Sequence, residues 1–336
     1  MRFLPTDEQS DFARTLRSLL GAAQVPGVVR AWADGEHGPG RVLWSRLAGT
    51  GLFALAVPED CDGAGLLPVE LSLGFVELGR AGVPGPVVET AAASVLFAEL
   101  GDEGLAKRFL PGLAAGGASA TLTLPGGSPY ALDADAATYC FTVSAAGDLC
   151  LSQDAAHGPA LASLDPARRL RAVPAGGELL AAGPAVTAAA RTAARWARLL
   201  TAAQCLGVGE ALLARTVEYA RRRTQFGAPI GSFQAVKHRL ADTLLGLEFA
   251  RPLLWAAALS TAPGEVAAAK LTAGEAGYAA ARTALQVHGA VGYTQELDLS
   301  LWLRKARPLR DAWGTPAQCR AAVLQAPVRA TRRVTP

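Results

Sequence analysis

Paired cysteines are missing from this 336-residue sequence: its five, Cys61, Cys140, Cys150, Cys205 and Cys319, are odd in number and form no C-x-x-C motif. A disulfide framework and a structural zinc site both lose support, and buried free thiols are expected. Histidines are few and scattered, His37, His157, His238 and His288, without the spacing of metal ligands. No Gly-x-Ser-x-Gly elbow occurs, so serine-hydrolase chemistry has no signal. An excess of one charge is lacking too: 32 Lys plus Arg against 29 Asp plus Glu leave a net +3. That surplus is too small for nucleic acid to be the default partner, and any basic function must be local. The uncharged stretch Phe109 to Leu132 is interrupted by Pro111, Pro125, Pro129 and several glycines, so no continuous membrane-spanning helix is expected there. The opening run Met-Arg-Phe-Leu-Pro-Thr-Asp-Glu-Gln-Ser reaches acidic residues before any long apolar segment. It is not read as a secretory signal, and the chain is expected to be cytoplasmic.

What is present is apolar material: 51% of residues are hydrophobic and 18% charged, enough for a large core and inconsistent with disorder. The length suits about two or three domains, or one large helical body with an insertion. From Thr6 to about Gly116 the pattern is helical, with Asp7-Glu8 opening an amphipathic segment and Leu71, Phe75 and Leu78 recurring at helical spacing. Turn-rich loops are expected at Val57 to Gly65 and at Val83-Pro84-Gly85-Pro86. Residues Ala118 to Val186 change character, with strand-like runs such as Ala120 to Leu124 and Tyr139 to Val143. From Thr187 to about Asp311 long Ala- and Leu-rich helices return, broken near Phe226 to Phe233, at Ala262-Pro263-Gly264 and near Gly289 to Gly292. The expected layout is an N-terminal helical domain (1–117), a small β domain (118–186) and a C-terminal helical bundle (187–336). The segments Leu199 to Ala203 and Leu206 to Leu213 are apolar on more than one side, which predicts an obligate oligomer through the bundle.

Two motifs carry possible chemistry. Gly207-Val208-Gly209-Glu210 starts like a dinucleotide fingerprint but lacks the third glycine and a preceding strand, so its glycines are read as permitting close helix packing. The segment Tyr219-Ala220-Arg221-Arg222-Arg223-Thr224-Gln225-Phe226-Gly227-Ala228-Pro229-Ile230-Gly231-Ser232-Phe233-Gln234 ends one helix in a cationic turn and starts the next. Its arginines suit a phosphate, or they simply complement a helix C-terminus; the residues alone leave both readings open.

This run resembles the Y-x-x-x-R-x-Q-F-G-x-P-I-x-x-x-Q signature of acyl-CoA dehydrogenases. Gly51 to Glu59 followed by Gly63-Ala64-Gly65, and Gln286-Val287-His288-Gly289-Ala290-Val291-Gly292-Tyr293 followed by Glu296, resemble the same family. The resemblance implies a mainly α fold: N-terminal helical domain, middle β domain and C-terminal four-helix bundle. It implies FAD at a subunit interface, with Arg223, Phe226, Gln234, Gln286 and Gly289 contacting the cofactor. Arginine supplies charge-assisted bonds to a pyrophosphate and glycine allows close backbone approach. Ala290 stands where the family usually has a second glycine. The implied substrate is an acyl-CoA, and the implied electron acceptor an electron-transfer flavoprotein or similar protein.

The sequence also departs from the family. The usual glutamate base precedes a Gly-Thr near the C-terminus, and here Trp313 precedes Gly314-Thr315. The alternative base position, just before an arginine on the helix upstream of the cationic turn, holds Ala197 ahead of Arg198. Neither side chain can accept a proton, so no catalytic base is assigned. The T-E-P-G-x-G-S-D turn of complete members is reduced to Leu122-Thr123-Leu124-Pro125-Gly126-Gly127-Ser128-Pro129, no Trp-containing strand is recognisable, and the β region is short, about seventy residues. In this respect the chain resembles the small subunits of heteromeric bacterial acyl-CoA dehydrogenases, including those acting on steroid side chains. The resemblance then implies a shared FAD completed with a full-length partner subunit in a heterotetramer. The alternatives are a self-sufficient flavoenzyme with a relocated base, for which Glu210 and Glu248 are conceivable, or a flavin-free binding or scaffold protein.

Overall fold

The computed structural model describes residues 4–153, 160–174 and 176–326. His157, the first three residues and the C-terminal residues 327–336 of the expected bundle lie outside the described residues. The N-terminal part begins where Thr6 and Gln9 form a reciprocal capping box for α1 (Asp7–Ala22), with Asp7 and Glu8 in the first turn complementing the helix dipole. Five helices follow: α2 (Val25–Ala33), α3 (Gly38–Ala48), α4 (Pro68–Ala81), α5 (Val87–Leu100) and α6 (Glu103–Ala114). Between α3 and α4 the expected loop folds into a small antiparallel hairpin, β1 (Ala56–Val57) with β2 (Gly65–Leu66). Leu71, Phe75 and Leu78 of α4 are all buried, as their spacing predicts. Helix α5 is buried on nearly every side from Val87 to Phe97, and Glu89 is the one acidic residue in that run. Helix α6 runs through Pro111 and ends at Ala114, so the uncharged stretch divides between a helix end and the first strands of the β region.

The small β region contains two sheets. One has the order β3 (Ala120–Thr123), β5 (Tyr139–Val143), β6 (Asp148–Leu151), β9 (Glu178–Ala182). The other has the order β4 (Tyr130–Leu132), β8 (Leu170–Ala172), β7 (Ala160–Leu161). β3 and β5 run parallel with Ala120 opposite Tyr139, while β6 pairs antiparallel with both β5 and β9. The parallel pair forces a crossover, and that crossover, residues 124–138, carries β4 into the second sheet.

The C-terminal bundle is organised by α7 (Pro184–Arg222), whose 39 residues extend about 58 Å. A hairpin of β10 (Thr224–Gln225) and β11 (Ala228–Pro229) links it to α8 (Gln234–Ser260), followed by α9 (Pro263–His288), α10 (Leu299–Asp311) and α11 (Pro316–Gln325). Helix α7 packs against α4 and α5 of the N-terminal part and against α8, α9 and α10 of the bundle. Leu199, Leu200, Ala202, Ala203, Leu206 and Leu212 are buried by these neighbours. The multi-sided apolarity of α7 therefore reflects burial within the chain, correcting the expectation that these segments form an oligomer surface. Among the described residues α7 is also the one helix long and apolar enough to cross a membrane, and 78% of its most apolar window lies inside the fold.

Glycine makes this packing possible. A Cβ on Gly207 would lie 1.9 Å from the Val76 carbonyl oxygen of α4, and one on Gly79 would lie 2.3 Å from the Gln204 carbonyl oxygen of α7. On the other side of α7, a Cβ on Gly277 of α9 would lie 2.7 Å from the Cys205 carbonyl oxygen. The Gly-Val-Gly segment is thus a helix crossing, as read from the sequence. A buried ion network borders it: Arg17 of α1 donates to Glu77 at 2.7 and 2.9 Å, Arg80 pairs with Glu77 and Glu210, and Arg251 of α8 donates to Glu210 at 2.7 Å. Each carboxylate faces two guanidinium groups, which offset part of the cost of its burial, although burial still pushes the Glu210 carboxyl above its usual range.

The five cysteines are free; Cys140, Cys205 and Cys319 are buried, whereas Cys61 and Cys150 are half-buried. Burial pushes the Cys140 thiol up to about 12, which makes it a poor nucleophile.

The helix crossing yields a direct test. Gly207→Ala forces a methyl group into backbone and should destabilise the fold by roughly 1–3 kcal/mol or more. Gly246→Ala, where the nearest atom to the new Cβ is Ala276 Cβ at 3.9 Å, should be neutral or stabilising by up to about 1 kcal/mol as a helix-interior replacement. Urea unfolding of the two variants checks this; equal stabilities would refute the crossing.

Candidate functional site

The cationic turn lies at one end of the bundle. Phe226 and Gly227 both have positive φ, 53° and 77°, as the two central residues of a tight hairpin that pairs Gln225 with Ala228. The Ile230 N–H donates to the Arg223 carbonyl at 2.8 Å and closes the return. Helix α8 then starts at Gln234 with no side-chain cap, and the Phe233 carbonyl accepts from the Val236 and Lys237 N–H groups at 3.1 Å. Arg222 is paired with Glu218 at 2.7 Å, while Arg223 has no ion pair among the described residues. Phe226 is 94% exposed and meets Phe233 edge to face at 6.2 Å.

The end of α9 is joined to this turn through aromatic stacking. The Tyr219 ring lies 4.1 Å from the His288 ring, and the Tyr219 hydroxyl reaches the His288 carbonyl at 3.5 Å. Burial pushes the His288 imidazole below its usual range, and its Nδ1 sits 2.8 Å from the Ala284 carbonyl, which suits a neutral ring donating from Nδ1. Gly289 follows at φ 62° and ends the helix, and no atom lies within 4 Å of the Cβ it lacks. Arg223, Phe226, Gln234, Gln286 and Gly289 are all exposed at this end of the bundle. Their side chains and open backbone offer a cation, amides and close approach to something outside the chain.

The two positions that the family resemblance implies for a base, Trp313 and Ala197, lie close together at a second place. Trp313 lies in the turn between α10 and α11 with φ 56°, and its carbonyl accepts from Arg198 Nε at 2.9 Å. Arg198 directly follows Ala197, which is fully buried on α7. Lys270 of α9 donates to the carbonyls of Arg310 at 2.7 Å and Gly314 at 3.3 Å, and Thr315 and Gln318 form a capping box that starts α11. Trp313 Nε1 donates to Glu89 Oε1 at 3.0 Å.

Glu89 is a residue that sequence reasoning missed. It is 4% exposed, its Oε2 has no hydrogen-bond partner, and burial pushes its carboxyl above the usual range. The available signal was a single acid in the apolar run Val87 to Phe97. Glu210 and Glu248, the conceivable bases, line neither cavity beside Trp313: Glu210 is held in the buried ion network, and Glu248 pairs with Arg251 at 3.1 Å.

Cavities flank Trp313. The outer one, about 310 Å³, has the Leu124–Ser128 turn on one wall and Arg198, Trp313, Thr315 and Gln318 on the other. The inner one, about 240 Å³, reaches Glu89 and Arg168. Behind Glu89 a narrow polar gap also touches Asp133, Gln204 and Lys305. Lys305 is paired there with buried Asp165 at 2.9 Å. Asp133 is fully buried; its Oδ1 accepts from Trp32 Nε1 at 3.1 Å and from the Arg169 N–H at 3.2 Å, while Oδ2 has no partner.

FAD fits these two places unequally. Exposed Arg223, Gln234, Gln286 and Gly289 match the charge and amide chemistry of a dinucleotide's pyrophosphate and ribose. The outer cavity faces a Pro-Gly-Gly turn whose polar side chain is Ser128, and none of the six tryptophans, at 32, 44, 196, 255, 302 and 313, belongs to the β region. Among the described residues lining the outer cavity, Trp313 is the one aromatic side chain.

Comparison with known proteins agrees with this architecture. Residues 6–117 match the family described as acyl-CoA dehydrogenase, N-terminal domain, and residues 187–326 that described as acyl-CoA dehydrogenase, C-terminal domain. The acyl-CoA dehydrogenase IpdE2 of Mycobacterium tuberculosis (strain ATCC 25618 / H37Rv) is 35% identical over 305 residues, covering 90% of this chain and 92% of that protein. The protein of the same name from Mycolicibacterium smegmatis (strain ATCC 700084 / mc(2)155) is 30% identical over 317 residues, covering 93% and 96%. The solved butyryl-CoA dehydrogenase of Megasphaera elsdenii superposes with a TM-score of 0.82 at 22% identity, over 96% of this chain and 98% of that one. Neither family match includes the β region.

Burial raises the Asp133 carboxyl to about 7. The folded chain therefore keeps this proton to higher pH than the unfolded chain does. The contribution of Asp133 to stability falls as pH rises from about 4 to about 7, by up to about 1.4 kcal/mol per unit, and levels off above. Asp133→Asn keeps the acceptor for Trp32 and Arg169 and removes the titration. Its advantage over the wild type should grow between pH 5 and 7 and be constant above about 8, read from melting temperatures; parallel pH profiles would refute this assignment.

Proposed function

The chain belongs to the acyl-CoA dehydrogenase family, and from that premise we propose that it is a cytoplasmic, non-catalytic subunit of a flavin-dependent acyl-CoA dehydrogenase. In this reading it supplies the adenosine end of an FAD site shared with a full-length partner subunit, which contributes the base and the ring-binding wall. The observation that carries the proposal is Trp313, locked by Glu89 and Arg198 where the family's base would stand. Desaturation of an acyl-CoA removes the α-hydrogen as a proton to a base and the β-hydrogen as hydride. FAD, when bound, supplies the hydride acceptor and passes the electrons on to an electron-transfer flavoprotein or similar acceptor. Neither Trp313 nor Ala197 can take the proton. Arg223 would meet the pyrophosphate, Gln234 and Gln286 the ribose or phosphate oxygens, Phe226 would cover the nucleotide, and Gly289 would let it approach the backbone.

A partner surface accompanies this site. On α8, Leu245, Phe249 and Leu253 are exposed at i, i+4 and i+8, and Leu244 and Leu259 extend the apolar area. Phe226, Phe233 and Tyr293 are exposed beside the cationic turn. Large apolar groups concentrated on one helix face suit an obligate interface, of roughly 2,000 Å² or more in total. This surface, in place of α7, supports the oligomer.

The purified chain should lack acyl-CoA dehydrogenase activity even with added FAD, since loss of a general base forfeits roughly 10²- to 10⁴-fold in rate. Stoichiometric flavin and turnover by the isolated chain would overturn the proposal. Co-expressed with its full-length partner, Arg223→Ala should weaken FAD retention by roughly 10- to 100-fold, the worth of a charge-assisted contact, with Arg221→Ala affected less. Leu245→Asp combined with Phe249→Asp should separate the subunits in analytical ultracentrifugation, and an intact complex would place the interface elsewhere.

A further inference from the structure

We infer that the cavity between α1, α2, α4, α7 and α10 is a binding site for a small phosphate monoester with an apolar body, its phosphoryl oxygens held by Arg215, Arg17 and Arg80. The cavity, about 230 Å³, shares no lining residue with the cavities beside Trp313 or with the cationic turn, so the site stands whether or not FAD is shared. Leu20, Val25, Pro26, Ala81 and Trp302 give it apolar walls, and the three arginines and Glu77 are its charged liners. An apolar cavity of roughly 150 Å³ accepts benzene, so this one has room for a six-membered ring and a phosphoryl group.

The charge of the ligand follows from Arg215. Its guanidinium is half-buried, lies 3.8 Å from the centre of the Trp302 ring, and makes no hydrogen bond or ion pair among the described residues. The two acids that act on it from a distance are each bonded to another arginine, Asp298 to Arg30 and Glu218 to Arg222. Stacking on an indole fixes the plane of a guanidinium and leaves its N–H edge free. A half-buried cation without a counter-ion carries an electrostatic cost that an anion removes. Two more donors belong to the same wall: Arg80 Nε, buried without a hydrogen-bond partner, and Arg17 Nη1, since Arg17 gives Nε and Nη2 to Glu77. Glu77, the one carboxylate there, is already bonded by Arg17 and paired with Arg80. Helix α2 begins at the cavity with Gln24 at φ 47° and no side-chain cap, so its positive end adds to the same field. The unmatched groups on the wall are therefore donors, and they come from three helices. A carboxylate offers two oxygens and one charge. A phosphate monoester offers three terminal oxygens and nearly two charges, which suits donors arriving from α1, α4 and α7. An amine or a neutral alcohol leaves Arg215 without its counter-charge.

The test uses the chain in its purified assembly, labelled with 5-fluorotryptophan, with Trp302→Phe assigning the 19F resonance of the cavity wall. Phenyl phosphate should shift the Trp302 resonance saturably. Benzoate, which lacks the third oxygen and second charge, and inorganic phosphate, which lacks a ring for the apolar walls, should each bind at least about 10-fold more weakly. Arg215→Leu, which breaks no hydrogen bond or ion pair among the described residues, should weaken phenyl phosphate at least about 10-fold. Gly21 lines the cavity, and a Cβ there meets nothing within 4 Å, so Gly21→Phe occupies the space without opposing the fold and should abolish the shift. Trp302 reports from this cavity, so a saturable shift in an assembly that holds no flavin would leave the site standing while the shared-cofactor reading fell. No saturable shift with phenyl phosphate, equally tight benzoate or inorganic phosphate, or undiminished binding by the folded Arg215→Leu and Gly21→Phe proteins would overturn the proposal.

Discussion

Helix α7 lies between α4 and α9 at distances that only backbone-to-backbone contact allows, with Gly79, Gly207 and Gly277 at the crossings. A side chain at any of them would push a neighbouring helix away and loosen the packing along α7. Both candidate sites depend on this one helix. Arg198 lies about two turns before the crossing and holds the Trp313 turn, while Arg223 follows the last turn of α7 and belongs to the cationic hairpin. The crossing fixes α7 relative to α9, and α9 contributes Lys270 to the first site and Gln286 and Gly289 to the second. The spacing between the sites is set by a rigid helix, not by loops.

The Trp313 turn shows that the mechanical and chemical parts of such a site are separable. Arg198, Lys270, Thr315 and Gln318 hold the backbone through hydrogen bonds that do not depend on the side chain at 313. Changing that side chain removes the proton acceptor without disturbing the scaffold. Restoring an acid at 313 would place a second carboxyl near Glu89 in a poorly solvated corner and raise the affinity of the pair for a proton. An acid at 313 would therefore titrate together with Glu89, and the proton affinity would belong to the pair.

Local chemistry made some features legible in the sequence. The break between two helices near Phe226 to Phe233 and the packing role of Gly207 and Gly209 could be read because each follows from the conformational freedom or size of one residue type. The runs at Ala120 and Tyr139 are strands, but their parallel pairing was not legible, since it depends on where residues 124–138 travel. The apolar sides of α7 were misread as an external surface because composition identifies a helix that must be buried without saying by what. Cys61 and Cys150 are less buried than expected for the same reason: thiol chemistry carries no information about strand edges and loops. Glu89 escaped notice because an acid on an apolar helix gains meaning only when Trp313, about 220 residues away, is seen donating to it.

The pairing of Glu89 with Trp313 also explains how a buried acid persists on an otherwise apolar helix. An indole has a single N–H, so it satisfies one carboxylate oxygen and excludes water from the rest of the contact with its rings. Asparagine or glutamine at 313 would bring two donors and an acceptor, and arginine would ionise Glu89. Tryptophan leaves the second oxygen of the acid unbonded, and burial pushes the carboxyl above its usual range. Trp313 thus contributes a donor at this turn, and Glu89 is the residue that accepts from it, so the two positions are coupled across the fold by one hydrogen bond.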